Sequence, residues 1–522
     1  MEVVDIGGQD SVALVRSRAW TGLAVGVALG AATGCTATPA APTTAPLTPG
    51  PTATTLAAPA PPPLTLPPVR PLVFRSCAGA DGMQCSTMTV PVDYAEPSGS
   101  TIAIAVARLP AVARHSSGSI IVNPGGPGES GIDYLEAAAS QFAALRASYD
   151  IVSFDPRGTG RSEPARCLAP SDLDAYFAFD PIDTAAANQQ AIETLSQRFA
   201  AGCLARNGRR LLFLGTQYVA RDLEELRRAL GEPKLTYLGL SYGTYLGEVY
   251  ASLYPQNVRA MVLDGVVNPA LPLLTEGEQQ AAAFERDLRD FDSGCARDCG
   301  FSGSPGSTIA QVLAKAAADP LQVNGRSLIR GEALTGIIAY LYQPAEDRNP
   351  ESALANALTQ AAGGNADLLL RSADSYAGRL ANGTYSPVSE ANASIACADK
   401  PAPTTTATYV TEAARMNTVD PHFGAAVVWG LLVCAYWPFQ PPPPTFHTVG
   451  AVPLLLVGAT GDPATPYAWA SGTLPYFPGS VLLTRDGDGH VSFGKSRCAD
   501  AYEAAYLTRL VLPPPDAICP TD

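Results

Sequence analysis

Six short apolar runs with little polar alternation constrain the fold of this chain more than any other feature. Runs of this kind are typical of parallel strands that are buried on both faces of a sheet. The helix ARDLEELRRALG, predicted to end at Gly231, lies between the second and third runs. Strand, helix and strand in this order predict an α/β fold with a doubly wound, mostly parallel sheet. The six runs are SIIVNP from 119, DIVSFD from 150, LTYLGL from 235, RAMVLD from 259, VPLLLVG from 452 and SVLLT from 480.

Two further regions accompany these runs, one before the first run and one between the fourth and the fifth. The runs STMTVPVDY and TIAIAVARL, separated by EPSGS, predict an antiparallel hairpin where the core begins. Residues 268–445 are rich in Ala and Leu at helical spacing and end in a run of prolines, so we expect an inserted helical lid. The α/β core is then expected in two parts, residues 71–267 and 446–522.

The first 35 residues have the pattern of an export signal. Arg16 and Arg18 precede an apolar run over 20–32, and small residues then lead to Cys35. This predicts a lipoprotein-type signal with Cys35 as the lipidation site; an ordinary signal peptide cleaved nearby is the alternative. Residues 36–70 are rich in Pro, Thr and Ala and predict a linker. The protein is therefore expected outside the cell, either secreted or anchored to the outer face of the membrane through the lipidated cysteine.

The cysteines agree with an oxidising compartment. Eleven are present, and setting Cys35 aside leaves an even ten. Because no CxxC pair occurs and only four histidines are present, we expect neither a metal site nor another cofactor. The suggested disulfides are Cys77 with Cys85, Cys167 with Cys203, Cys295 with Cys299, Cys397 with Cys434, and Cys498 with Cys519.

Charge excludes one class of partner. Apolar residues make up 47% of the chain and charged residues 16%, which is typical of a folded protein. The net charge is −14 and no basic cluster is present, so nucleic acid is not an expected partner.

The segment GLSYG, from Gly239 to Gly243, has the pattern of a nucleophile elbow. It follows the apolar run LTYLGL and precedes a predicted helix. A sharp turn between a strand and a helix exposes the serine oxygen, and the flanking glycines permit the close backbone approach. Ser241 is therefore the predicted nucleophile.

A second glycine-rich loop, NPGGPG at 123–128, follows an earlier strand. Acyl transfer needs two N–H donors for the developing oxyanion. The N–H of Tyr242, next to the serine, and the N–H of Gly126 are the predicted donors. A plain turn is the alternative interpretation of the loop.

A serine nucleophile needs a base, and the order serine, acid, histidine selects it. His490 follows the last apolar run in RDGDGHVSF, whereas His115 precedes the core strands and His422 and His447 fall in or beside the predicted lid. Asp462 in GATGDPATP ends a late strand and is the predicted acid. Asp264, at the end of RAMVLD, is the competing candidate. Asp155 precedes the serine and is expected to stabilise a turn.

Together these motifs resemble the tripeptidyl aminopeptidase family of actinobacterial secreted and cell-envelope serine peptidases, which are related to prolyl aminopeptidases. The resemblance spans residues 71–522 and rests on NPGGPGESG, FDPRGTGRSE, LTYLGLSYGTYLGEVYASLYP, MVLDGVVNP and LLLVGATGDPATP. It implies an α/β-hydrolase fold with a helical cap, and a triad of Ser241, Asp462 and His490. Some members are envelope lipoproteins, in agreement with Cys35. One departure is Glu129, where the family more often has glycine.

The predicted function is that of an exported serine peptidase that releases short, tripeptide-like N-terminal peptides through an acyl-enzyme. Its partner is then a peptide or protein with a free N-terminus, whose amine needs a carboxylate at a fixed distance from Ser241. Glu276, Glu278, Glu285 and Glu129 remain open as that carboxylate. A carboxylesterase or lipase of the same fold is the alternative, since the fold alone does not fix the substrate. A non-catalytic envelope binding protein is a further alternative.

Overall fold

The computed structural model describes residues 56–59, 66–80, 82–298, 304–323, 325–342, 350–446 and 452–520. The predicted export signal, including Cys35, lies outside the described residues, as do most of the predicted linker, Cys299 and His447.

One sheet organises the described part of the chain. It contains ten strands in the order β1-β2-β3-β5-β4-β6-β7-β10-β11-β12, and a separate antiparallel pair is formed by β8 and β9. The pairs from β5 through β4 to β12 are parallel, and the pairs from β1 to β3 and β5 are antiparallel. The predicted α/β-hydrolase sheet and its N-terminal hairpin are thus confirmed. The strands are β1 (Arg75–Ser76), β2 (Gln84–Pro91), β3 (Thr101–Leu109), β4 (Ser119–Asn123), β5 (Asp150–Phe154), β6 (Leu235–Leu240), β7 (Val258–Asp264), β8 (Leu321–Val323), β9 (Arg326–Leu328), β10 (Leu455–Gly461), β11 (Val481–Asp488) and β12 (Ile518–Cys519).

Helices cover both faces of the sheet, and a helical lid is inserted between β7 and β10. Among the described residues, no helix combines the length and apolar character that crossing a bilayer requires. The core helices are α1 (Gly131–Ala137), α2 (Ala143–Arg146), α3 (Pro170–Phe177), α4 (Ala186–Asn207), α5 (Thr216–Ala229), α6 (Tyr242–Leu253), α15 (Tyr467–Thr473) and α16 (Arg497–Arg509). The lid helices are α7 (Leu273–Asp298), α8 (Pro305–Ala318), α9 (Arg330–Tyr342), α10 (Pro350–Ala362), α11 (Asp367–Ala377), α12 (Val388–Asp399), α13 (Thr406–Val419) and α14 (Gly424–Gly430). Short 3₁₀ helices are formed by Gly208–Phe213, Pro255–Asn257, Leu432–Tyr436 and Leu474–Tyr476.

The central strands are apolar throughout because both of their faces are covered. All five residues of β4 are buried. Ile120 and Val122 pack into the core on one face of the sheet, and Ile121 packs into the core on the other. This alternation between two buried faces explains the continuous apolar runs. The lid has an apolar cluster of its own, which includes Phe284, Leu334 and Leu358.

Four of the five predicted disulfides are present: Cys77–Cys85, Cys167–Cys203, Cys397–Cys434 and Cys498–Cys519. Cys295 is also disulfide-bonded, and its predicted partner lies outside the described residues.

Two regions differ from the sequence-based expectations. Helices α3 and α4 were not predicted, because the polar and apolar residues of α4 do not separate into two faces. Parts of the predicted linker lie against the folded domain. Leu56 donates its N–H to the carbonyl of Pro438 at 2.6 Å, and Leu66 packs on the core. These two leucines bury apolar surface against the domain, although the segment around them is rich in proline.

The buried ion pair between Arg157 and Asp222 links the N-terminal hairpin to helix α5. Arg157 is 1% exposed and forms two hydrogen bonds of 2.7 Å with the carboxylate of Asp222 in α5. It also donates to the carbonyl of Val92 at 2.8 Å. Removing one member of a buried pair leaves the other charge without compensation.

We predict that Asp222→Ala lowers the free energy of unfolding by about 3–5 kcal/mol, because the Arg157 guanidinium stays buried without its counter-charge. Urea unfolding measures this change. The control is Asp133→Asn, which breaks an exposed pair with Arg161 and should cost less than about 1 kcal/mol. Equal stability of the two variants would contradict the role given to the buried pair.

Candidate active site

Ser241 occupies a strained turn between β6 and α6. Its φ is +55° and its ψ is −129°, a conformation that non-glycine residues rarely adopt. A Cβ at Gly239 would lie 2.4 Å from the carbonyl oxygen of Gly243, and one at Gly243 would lie 2.4 Å from that of Asn123. The turn therefore needs glycine at both positions, in agreement with the elbow pattern.

The glycine-rich loop after β4 packs against this elbow. Gly125 has a φ of +104°, and a Cβ there would lie 2.8 Å from the nitrogen of Tyr242 and 3.0 Å from the Cβ of Ser241. Because Tyr242 is the first residue of α6, the helix itself does not use its N–H. Gly126 lines the same cavity as Ser241 and Tyr242. The two residues that carry the predicted oxyanion donors thus lie beside Ser241.

The structure brings Asp462 and His490 together after β10 and β11. Nδ1 of His490 lies 3.0 Å from each carboxylate oxygen of Asp462. Oδ1 of Asp462 also accepts the N–H groups of Ala464 at 2.9 Å and Thr465 at 2.8 Å. Burial alone would raise the pKa of Asp462, but the neighbouring His490 and these hydrogen bonds lower it below its usual value. The carboxylate therefore stays ionised and fixes the ring through Nδ1.

Thr465 is a contact that the sequence reasoning missed. Its hydroxyl donates to Oδ2 of Asp462 at 2.9 Å and lies 3.2 Å from Nδ1 of His490. A threonine three residues after the acid, in a loop that turns back on itself, is the signal that could have identified it.

Tyr342, a residue of the lid, lies beside both Ser241 and His490. The ring of Tyr342, at the end of α9, lies 4.9 Å from the His490 ring between centroids. Tyr342 and Ser241 line the same cavity. Ser241 and His490 thus lie beside the same tyrosine. Nε2 of His490 is buried and has no hydrogen-bond partner among the described residues.

The other candidates for base and acid have different surroundings. His115 is exposed, and His422 pairs with Glu285 in the lid, with 2.8 Å between Nδ1 and Oε1. The carboxylate of Asp264 accepts the backbone N–H groups of Ser492 and Phe493, rather than an imidazole N–H. Asp155 accepts bonds from Ser130, Ile132 and Arg161, in agreement with the expected turn-stabilising role.

The cavity beside Ser241 has a volume of about 220 Å³ and an acidic wall. Glu276, Asp399 and Lys400 line it, and Nζ of Lys400 lies 2.5 Å from Oε2 of Glu276. Asp399 accepts the N–H and the hydroxyl of Thr216, and burial raises its pKa to about 7. Sequence reasoning missed Asp399, because no local pattern marks it.

Of the other acids proposed from the sequence, Glu278 and Glu285 do not line the cavity, whereas Glu129 lies near His490. Glu278 pairs with Arg415 at 3.0 Å, and Glu285 binds His422. Glu129 follows the oxyanion loop, and burial raises its pKa while the nearby His490 lowers it. Among the described residues, no group of three His, Cys, Asp or Glu side chains is arranged to hold a metal ion.

Comparison with known proteins decides the family. Residues 118–300 match the family model described as alpha/beta hydrolase fold, and residues 420–519 match the model described as TAP-like protein. The chain is 36% identical over 463 residues to the serine protease Hip1 of Mycobacterium tuberculosis, covering 84% of this chain and 87% of that protein. The chain belongs to the TAP-like family of α/β-hydrolase enzymes.

Two further relatives bear different names. The chain is 33% identical over 425 residues to a tripeptidyl aminopeptidase of Streptomyces coelicolor, covering 78% of this chain and 77% of that protein. It is 36% identical over 457 residues to carboxylesterase B of Mycobacterium tuberculosis, covering 84% and 86%. The TAP-like enzyme described here is a serine hydrolase of the tripeptidyl-aminopeptidase-like peptidase group.

We predict that Asp462→Asn lowers kcat by about 10⁴-fold while the protein stays folded, because an amide no longer holds the tautomer that His490 needs. Ser241→Ala should lower kcat by about 10⁶-fold. Hydrolysis of a short-chain p-nitrophenyl ester measures both losses, and circular dichroism checks the fold. Wild-type activity of the Asp462 variant would exclude this residue as the acid.

Proposed function

We propose that this protein is an exported serine peptidase that removes short, tripeptide-like segments from the free N-terminus of peptides or proteins. Ser241 is the nucleophile, His490 the base and Asp462 the acid. Residues 71–267 and 446–522 supply the hydrolytic core, and residues 268–445 form the lid over it.

The proposed chemistry is acyl transfer, supported by the strained turn at Ser241 and by the His490–Asp462 pair. Its hydroxyl oxygen attacks the scissile carbonyl while Nε2 of His490 takes the proton, and Asp462 stabilises the imidazolium. The N–H groups of Tyr242 and Gly126 hold the oxyanion. His490 returns the proton to the leaving amine. A water molecule then attacks the acyl-enzyme and gives its proton to His490, which passes the proton to the Ser241 oxygen as the acyl segment leaves.

The acidic wall of the cavity is the observation that carries the aminopeptidase assignment. Glu276 and Asp399 contribute two carboxylates, and Lys400 contributes one ammonium group. When both acids are ionised, the wall therefore has a net negative charge. A substrate α-ammonium would balance this charge inside a partly enclosed site, where electrostatic interactions are stronger than in water. Because this wall and Ser241 line one cavity, an anchored N-terminus would leave only a short segment to reach the nucleophile.

The relatives support both a peptidase and an alternative. The names serine protease and tripeptidyl aminopeptidase favour peptide bonds as the target. The name carboxylesterase B belongs to a relative of similar identity and favours ester hydrolysis. An esterase would not need the acidic wall, so dependence on the substrate amine separates the two.

Export is supported by the covalent structure of the folded domain. Its disulfides, such as Cys397–Cys434, are typical of proteins in oxidising compartments. We propose secretion or anchoring to the outer face of the membrane through lipidated Cys35.

The first test compares two tripeptides that carry the same chromogenic amide, one with a free and one with an acetylated N-terminus. We expect cleavage of the free form alone, and none by Ser241→Ala. Survival of both peptides with rapid hydrolysis of short-chain esters would instead establish the carboxylesterase alternative.

A second prediction concerns pH. The pKa of Asp399 is raised to about 7 by burial, so its carboxylate is neutral at pH 5.5 and ionised at pH 7.5. KM for the free-amine tripeptide should therefore fall as the pH rises between these values. Asp399→Asn keeps an acceptor for Thr216 but removes the charge. It should flatten this dependence and raise KM at pH 7.5 by about 10–100-fold, as expected for loss of a charged hydrogen bond.

The control substrate is a short-chain ester without an amine, for which KM should respond little to Asp399→Asn. An unchanged KM for the tripeptide in both Asp399→Asn and Glu276→Gln would show that this wall does not bind the α-amine.

A further inference from the structure

The proposed nucleophile and the proposed base follow strands that are not neighbours in the sheet. Ser241 follows β6 and His490 follows β11, with β7 and β10 between them in the sheet order. Proton transfer between the two side chains needs close and well-aligned groups. Some contact must therefore fix the histidine loop relative to the elbow.

Asp264, the last residue of β7, contacts both. Its backbone carbonyl accepts the N–H of Ser241 at 2.9 Å. Oδ2 of its carboxylate accepts the N–H groups of Ser492 and Phe493, each at 2.7 Å. The side chain is fully buried. One residue thus forms hydrogen bonds with the nucleophile's own backbone and with the loop that carries the base.

We infer that Asp264 is a positioning residue, whose carboxylate holds the His490 loop in register with Ser241. The inference rests on the proposed roles of Ser241 and His490. Asp264 acts through backbone amides and does not transfer a proton.

The conformation of the histidine loop supports this role. Val491, between His490 and the two amides, has a φ of +66°, which is an outlier for a β-branched residue. Such a conformation persists only where the surroundings hold it. The Asp264 carboxylate binds the two residues that follow Val491, at the point where the strained segment needs a fixed partner.

The residue after Asp264 is also fitted to the imidazole. Gly265 has a φ of +70°, and a Cβ there would lie 3.2 Å from Cε1 of His490 and 3.1 Å from Cγ2 of Val491. The end of β7 therefore supports the base in two ways, through the hydrogen bonds that the Asp264 carboxylate accepts and through close packing at Gly265.

The loop has other polar supports, which the test must separate from Asp264. Nζ of Lys495 donates to the carbonyl of His490 at 2.6 Å, and Arg485 donates to the carbonyl of Gly489 at 2.6 Å. These contacts hold the loop to neighbouring residues in the chain. Asp264 differs because it joins the loop to the elbow across the sheet.

The experiment measures kcat and KM of Asp264→Ala and Asp264→Asn at pH 8, with a short-chain p-nitrophenyl ester. Active sites are counted by fluorophosphonate labelling, so that unfolded protein does not enter kcat. We expect Asp264→Ala to lower kcat per active site by about 100-fold, the loss that a displacement of about 1 Å can cause, with little change in KM. Asp264→Asn keeps an acceptor oxygen for the two amides and should recover most of the activity.

Glu390→Ala is the matched control. Glu390 is also buried and accepts two backbone N–H groups, from Cys167 at 2.5 Å and Leu168 at 2.8 Å, but it does not contact the histidine loop. It should lower the Tm without lowering kcat per active site. Equal loss of kcat in both alanine variants, or wild-type kcat in Asp264→Ala, would overturn the inference.

Two further outcomes are distinguished. If Asp264→Ala is insoluble, Asp264→Ser replaces it, since a serine hydroxyl is too short to reach both amides and the same loss of kcat is expected. If Ser241→Ala keeps its activity, the proposed nucleophile is wrong, whereas a result confined to Asp264 leaves the proposed function intact.

Discussion

The site depends on the alignment of strand ends at one edge of the parallel sheet. Leu240 of β6 lies opposite Asp264 of β7, and Asp264 lies opposite Val457 of β10. Because parallel strands present their carboxyl ends on the same side, the loops that follow β6, β7 and β10 converge there. The aligned strand ends hold the strained turn at Ser241 in place, because its glycines pack directly against neighbouring backbone.

The lid contributes side chains to the cavity that the sheet does not provide. The sheet supplies the elbow, the oxyanion loop and the histidine, a set that can serve ester or amide hydrolysis alike. Helices of the lid bring Tyr342 against Ser241 and place Glu276 and Asp399 in the same cavity. In the proposed function, the inserted segment therefore selects the substrate.

The sequence predicted the features that depend on residues close together in the chain. Continuous apolar runs located the parallel strands, and GLSYG with its glycines located the elbow turn. It did not find Asp399, whose contact with Tyr242 spans 157 residues of sequence, or the ring contact between Tyr342 and His490. Contacts of this range leave no periodic signal in one chain. The role of Asp264 was invisible for the same reason: the residue was noticed as a strand end, but its partners are backbone amides far along the chain.

The proposed function requires Ser241 to carry the N-terminal segment of a peptide as an acyl-enzyme. The most direct measurement is mass spectrometry of enzyme quenched in acid during turnover of a peptide of known sequence. We expect an adduct on the fragment that contains Ser241, with the mass of a short N-terminal segment less one water. An adduct derived from the interior or the C-terminus of the peptide, or one on a residue other than Ser241, would contradict it.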